Sequence, residues 1–227
     1  MDWFRAVNGY CERTDASYWS EPLNAVSNAA FLIAAALCWR LTARDPGARL
    51  LVVILAAIGI GSFLFHTHAQ LWAMLADVLP IQAFILVYIH VATVRFLAAP
   101  AWGGLAAAVA FVPLSGLVGA GIAALFGPLN GSVGYMPVVL LIVAYALALA
   151  RRASATARGM ATGAAILALS LFFRTIDEAV CPRFPLGTHF LWHALNGVML
   201  GWMILVLVRH DREGVPAPGL AGRGPAR

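Results

Sequence analysis

The segment GSFLFHTHAQLWAMLADVLP, residues 61–80, sets a serine, two histidines and an aspartate in a run that is otherwise apolar. A second segment, HFLWH, residues 189–193, carries two histidines four apart. On a helix that spacing is one turn, so His189 and His193 share a face and their imidazoles can reach a single ion. His66 would supply a third nitrogen. Three protein ligands with an open fourth position are the arrangement of a catalytic zinc, whereas structural sites close with four. Imidazole without a nearby thiol points to Zn²⁺, which lowers the pKa of water towards neutrality and so provides a nucleophile for hydrolysis. Ser62 stands one turn before His66 on the same helical face, and Asp77 adds a carboxyl at the same depth.

The elements that must position these groups are membrane helices. Of the 227 residues, 62% are hydrophobic and only 11% charged, with a mean hydropathy of +0.84, which leaves too little charge to cover a soluble surface. About 20 apolar residues cross a bilayer. The chain divides at its polar and Gly/Pro-rich breaks into seven such stretches, near 22–42, 50–67, 72–95, 101–122, 132–150, 158–178 and 187–208, with Pro113 and Pro137 interrupting the fourth and fifth. The expected fold is an all-α integral membrane protein, a seven-transmembrane-helix bundle forming a single domain over 1–210, with a flexible cytoplasmic tail over 211–227. The first 20 residues are polar and lack the apolar core of a cleavable signal.

Arginine carries the positive charge, since there is no lysine, and the net charge is +5. Arg40, Arg44, Arg49, Arg95, Arg151, Arg152, Arg158 and Arg209 fall on one side of the layout, and most of the acidic residues on the other. The positive-inside rule then places the N-terminus outside and the C-terminus in the cytoplasm. The charge is read as topology, with no nucleic-acid partner. Cys11 and Cys181 both land on the outer face, where an oxidising compartment would let them pair, and Cys38 reads as packing within a span.

A lone membrane histidine is more often a hydrogen-bond partner between helices than a ligand, and an HxxxH pair alone is a weak sign. What sets His66, Asp77, His189 and His193 apart is that three segments deliver them to one depth, where ionisable groups are costly and rare. His68, His90 and His210 have no such company and read as an outer-loop, a span-three and an interfacial residue.

At these residues the chain resembles an alkaline ceramidase of the seven-helix membrane hydrolase superfamily that also contains the adiponectin receptors and their progestin-receptor relatives. The resemblance runs from about residue 8 to 208. It rests on YCERTDASYWSEPLNAVSN (10–28), on GSFLFH followed by Asp77 and Leu79-Pro80, on HFLWH, and more weakly on RTIDEAVC (174–181). It implies an intramembrane zinc amidase that cleaves the N-acyl bond of ceramide or a related N-acyl lipid. In it His66, His189 and His193 hold zinc, Asp77 handles the proton of the attacking water, and Ser62 supports the metal site or the tetrahedral oxyanion. It also implies a Ca²⁺ site from the carbonyl of Tyr10 with Glu12, Asp15 and Glu21, although Asn8 or Gly9 stands where the family has an acidic residue. Ala76 and Val78 flank Asp77, where the family often has a second acid.

The alternative is a seven-helix lipid-sensing, receptor-like protein with a structural zinc, since fold does not fix function. A transporter using the buried Asp and His as relays would bind no metal and is expected to show repeat symmetry, which the sequence lacks. The Ala/Arg-rich, lysine-free composition is that of a high-GC bacterium. The expected location is therefore the bacterial inner membrane, the site facing the periplasm, with a membrane lipid as partner and no obligate protein partner.

Overall fold

The structure is a computed structural model that describes residues 2–212; the tail expected over 211–227 lies, beyond its first two positions, outside the described residues. Among the described residues, seven helical segments are long and apolar enough to cross a membrane. The first combines α1 (Pro22–Ser27) and α2 (Ala29–Trp39), joined at Asn28. The next three are α3 (Pro46–His68), α4 (Leu71–Phe96) and α5 (Ala101–Phe126). A 3₁₀ segment, Leu129–Gly134, leads into α6 (Met136–Leu149), followed by α7 (Ser154–Val180) and α8 (His189–Arg212). Among the described residues the only β pairing is an isolated antiparallel bridge, Ala6 to Gln70.

The second span is longer than its apolar run. Asp45 accepts the N–H of Ala48 at 2.9 Å as the N-cap of α3, and Pro46 occupies the first turn, a position for which its fixed φ is suited. Proline and glycine there start a helix that the apolar pattern alone would begin at residue 50. Pro137 likewise sits in the first turn of α6 and interrupts nothing, while Pro113 lies inside an unbroken α5. On the same side Arg95, at the end of α4, grips both Asp45 oxygens at 2.6 and 2.5 Å. Those bonds hold the Asp45 carboxyl below the usual carboxylate range.

Helix α8 is the hub. It packs on α1, α2, α3, α4 and α7, and 61% of its span is buried, against 11% for α5 on the lipid-facing rim. Leu51 and Leu55 of α3 meet Met203, Ile204 and Leu207 of α8 in a core of fully buried side chains. Helices α3 and α4 pack tightly at Gly61. A Cβ there would stand 2.0 Å from the carbonyl oxygen of Ala76, so only glycine lets α3 and α4 close at the level where Ser62 and Asp77 face each other.

Gly61→Val is expected to force α3 and α4 apart at a cost of about 1–3 kcal/mol, read as a lowered Tm in detergent. Gly116→Ala on α5, where an added Cβ meets nothing within 4 Å, is expected to leave Tm unchanged or raise it; equal effects of the two substitutions would contradict the packing.

Candidate metal centre

Three histidines from two helices meet at one end of the bundle. His66 lies in the last turn of α3, and His189 and His193 form the first turn of α8. Their relative exposures are 0%, 1% and 1%. Each offers a ring nitrogen within 4.8 Å of those of the other two, and among the described residues no other group of His, Cys, Asp or Glu is so arranged.

The surrounding hydrogen bonds decide which lone pairs are free. His66 Nδ1 lies 2.6 Å from Glu21 Oε2. A carboxylate accepts, so Nδ1 carries the proton and Nε2, buried and without a partner, keeps its lone pair. His193 Nδ1 lies 2.8 Å from Ser27 Oγ, whose own proton goes to the carbonyl of Asn24 at 2.8 Å. The serine therefore accepts as well, leaving a lone pair on Nε2. His189 Nδ1 is buried and unpartnered. Fixing the tautomer and tilt of imidazole ligands through their second nitrogen is how outer groups tune a metal site. Buried lone pairs with nothing to accept are costly in a protein without an ion, and three imidazoles fit Zn²⁺.

Asp77 stands in the second turn of α4 with a buried Oδ1 that has no partner, and Ser62 is the hydroxyl that interacts with its carboxyl. Ser62, Asp77 and His193 open onto one cavity. Its remaining walls are almost wholly apolar, with Phe31, Phe84 and Met199 among them, so it can accept an alkyl chain.

The amino-terminal residues close this end of the bundle. Val7 donates to Ala69 O at 2.8 Å, and Leu71 to Arg5 O at 3.1 Å, across the α3–α4 turn. Cys11 is joined to Cys181 by a disulfide with Cα atoms 5.5 Å apart. Tyr10 stacks on His189 with ring centroids 3.8 Å apart. Asp177, fully buried, ties this cap to the centre: Oδ2 accepts the N–H of Cys11 at 3.0 Å, while Oδ1 accepts those of Thr188 and His189 at 2.7 and 2.9 Å. Gly187, at φ +63°, makes room, since a Cβ would lie 2.2 Å from Asp177 Oδ1.

The four groups expected to bind calcium are otherwise engaged. Glu12 accepts the N–H groups of Leu23 and Asn24, both at 2.8 Å, capping the start of the first span. Glu21 is shared by His66, Asn24 and Arg13. The Asp15 side chain folds back on the Ser17 N–H at 2.8 Å, and the Tyr10 carbonyl accepts the N–H of Arg13 at 3.3 Å. At their centre is the buried guanidinium of Arg13. Its Nε donates to Glu21, Nη1 to the carbonyls of Asp15 and Ser17, and Nη2 to the carbonyl of His66 at 2.9 Å. A carboxylate and three carbonyls around a fixed cation leave no set of six to eight free oxygens for Ca²⁺, so the residues do not fit that ion.

The remaining histidines stand apart. His68 is exposed against Tyr18 and Trp72, His90 lies against α5 at Gly104, and His210 is buried at 2.8 Å from Thr156 Oγ1. Cys38 is a buried free thiol. Residue type and spacing missed Ser27 as a partner of His193 and Asp177 as the anchor of the cap. A signal for the first was present: Glu21, Asn24 and Ser27 recur every three residues, a helical face that points polar groups at one place.

Seven membrane-length helices enclosing an apolar cavity, with a buried histidine triad and an aspartate beside it, define a polytopic membrane protein. The chain belongs to the ceramidase family, whose model matches residues 7–214. None of the curated proteins matches the chain. Membership makes the protein a hydrolase of the ceramidase type, acting in general terms on ceramide, with a membrane lipid as substrate.

Glu21→Gln keeps the shape but removes the charge that orients His66, and is expected to weaken zinc binding about 10–100-fold, measured by competition with a chelating dye. Millimolar calcium is expected to leave the Tm of the wild-type protein unchanged; a saturable rise would reveal an oxygen site that this arrangement lacks.

Proposed function

We propose that the protein is a zinc-dependent amidase that cleaves the N-acyl bond of ceramide or a related N-acyl lipid, releasing a fatty acid and an amine base. The observation that carries this reading is the set of free imidazole lone pairs facing one point, with the Asp77 carboxyl and an alkyl-accepting cavity beside them. His66, His189 and His193 would hold the ion. When bound, zinc supplies Lewis acidity, polarising an amide carbonyl and lowering the pKa of water towards neutrality.

The chain's own residues do the rest. The apolar cavity takes the acyl chain and keeps bulk water out, which strengthens every electrostatic contact inside it. Asp77 accepts the proton that water loses as its oxygen bonds to the acyl carbon. It returns that proton to the nitrogen as the C–N bond breaks, so water's two parts end on the acid and the amine. Ser62 holds the Asp77 carboxyl in place and offers a hydroxyl to the negative charge that develops on the former carbonyl oxygen. A buried carboxyl poised beside the triad serves proton transfer and has no task in a purely structural zinc site.

The same reading takes residues 1–210 as one membrane domain, N-terminus outside and C-terminus cytoplasmic. The arginines on the side of Arg95 and Arg209 support it through the positive-inside rule. The disulfide and the histidine centre then lie on the oxidising, periplasmic side of a bacterial inner membrane.

His193→Ala is expected to lose both zinc, by elemental analysis, and fatty-acid release from N-acyl lipids, by mass spectrometry, while remaining folded in detergent. Asp77→Asn is expected to keep zinc and lower kcat about 10²–10⁴-fold, the range of a lost general acid–base. Full turnover in either variant would sink the reading.

A further inference from the structure

Arg174 is a half-buried cation with no assigned part in holding the metal or moving the proton, and the carboxyl its charge reaches is that of Asp77. It lies near the outer end of α7 with its guanidinium among three aromatic rings, 5.8 Å from Tyr10, 5.7 Å from Tyr135 and 5.2 Å from Trp192. Nη1 donates to the Tyr10 hydroxyl at 3.3 Å, and Nε is buried with no acceptor. The ion pairs among the described residues join Arg13 and His66 to Glu21 and Arg95 to Asp45; none reaches Arg174. The chain is nevertheless shaped around it. Asn130 and Gly131 adopt left-handed φ of 50° and 76°, Asn130 Nδ2 donates to the Arg174 carbonyl at 3.0 Å, and a Cβ on Gly131 would stand 3.1 Å from Arg174 Nη2.

Two of its rings also belong to the reaction cavity, since Tyr135 and Trp192 line the space onto which Asp77 and His193 open. The third, Tyr10, stacks on His189. The guanidinium thus sits one ring away from the metal centre. An ionisable group in a membrane span marks a function by default. Aromatic faces stabilise a guanidinium while leaving its planar, forked donor edge available, and that fork matches a carboxylate.

We propose that Arg174 is the seat of a lipid carboxylate, which extends the substrate class of the amidase from neutral ceramide to N-acylated amino acids. Their head-group carboxylate meets the guanidinium while the amide reaches the histidine triad. The proposal rests on the amidase reading for its catalytic consequence but not for binding. The same chemistry would be met by the fatty acid released on hydrolysis, and the experiment separates the two sources.

The probes are N-palmitoylglycine, its uncharged analogue N-palmitoylglycinamide, ceramide, palmitate and hexadecanol, tested on the wild-type protein, Arg174→Gln and Arg174→Lys. A head-group seat predicts that the wild-type protein prefers N-palmitoylglycine to the glycinamide in KM. Arg174→Gln would then raise KM for the charged lipid by at least about tenfold, one charge-assisted hydrogen bond, with kcat and the uncharged lipids little changed and partial recovery in Arg174→Lys. A product seat predicts instead that palmitate inhibits better than hexadecanol and that Arg174→Gln abolishes the difference. Should Arg174→Gln fail to fold, the charged-to-neutral comparison on the wild-type protein still decides. Equal handling of charged and uncharged probes overturns the proposal. If no amide is hydrolysed yet palmitate binding, followed by calorimetry, depends on Arg174, the amidase reading fails and the carboxylate seat stands.

Discussion

A single buried carboxylate, Glu21, holds the histidine end of this molecule together. It accepts from His66, from Asn24 and from Arg13, and each bond constrains a different element: the last turn of α3, the first turn of the first span, and the amino-terminal segment. An ionised carboxylate removed from water is costly unless its lone pairs are met. Here they are met by one fixed cation and two further donors, and Arg13 in turn is met by three main-chain carbonyls. The imidazole of His66 is therefore clamped from two sides, at its ring nitrogen by Glu21 and at its own carbonyl by Arg13. That clamp directs the remaining nitrogen of His66 towards the other two histidines.

The seven spans and the histidine triad were legible because their signals are strong and local. Twenty apolar residues read as a crossing whatever surrounds them, and His189 and His193 share a face by spacing alone. Helix starts were less legible, since Pro46 and Pro137 look like breaks on a hydropathy scale but are favourable in a first turn. The amino-terminal cap was legible as a motif and misread as chemistry. Glu12, Asp15 and Glu21 have the composition of an oxygen site, but a carboxylate's partner is set by what the fold brings to it. Main-chain N–H groups and a guanidinium arrive first. Arg13 carried no sequence signal, because one arginine among the charges that precede the first span looks like any other.

The position of Arg174 illustrates the same limit from the other side. Its neighbours come from the amino terminus, from the start of α6 and from α8, and no spacing rule links residues so far apart. The left-handed backbone at Asn130 and Gly131 becomes interpretable only with the guanidinium in view, because asparagine and glycine are the residues that tolerate it.

The long-range closure by Asp177 has a consequence for biosynthesis. This carboxylate joins residue 11 to residues 188 and 189, and the histidines that face His66 belong to the seventh span, which leaves the ribosome after the other six. A nascent chain carrying its first six spans in the bilayer has one imidazole of the triad and lacks the second and third. Assembly of the triad and closure of this end by Asp177 thus coincide with the arrival of the seventh span, so shorter nascent chains pass through insertion without the three imidazoles brought together.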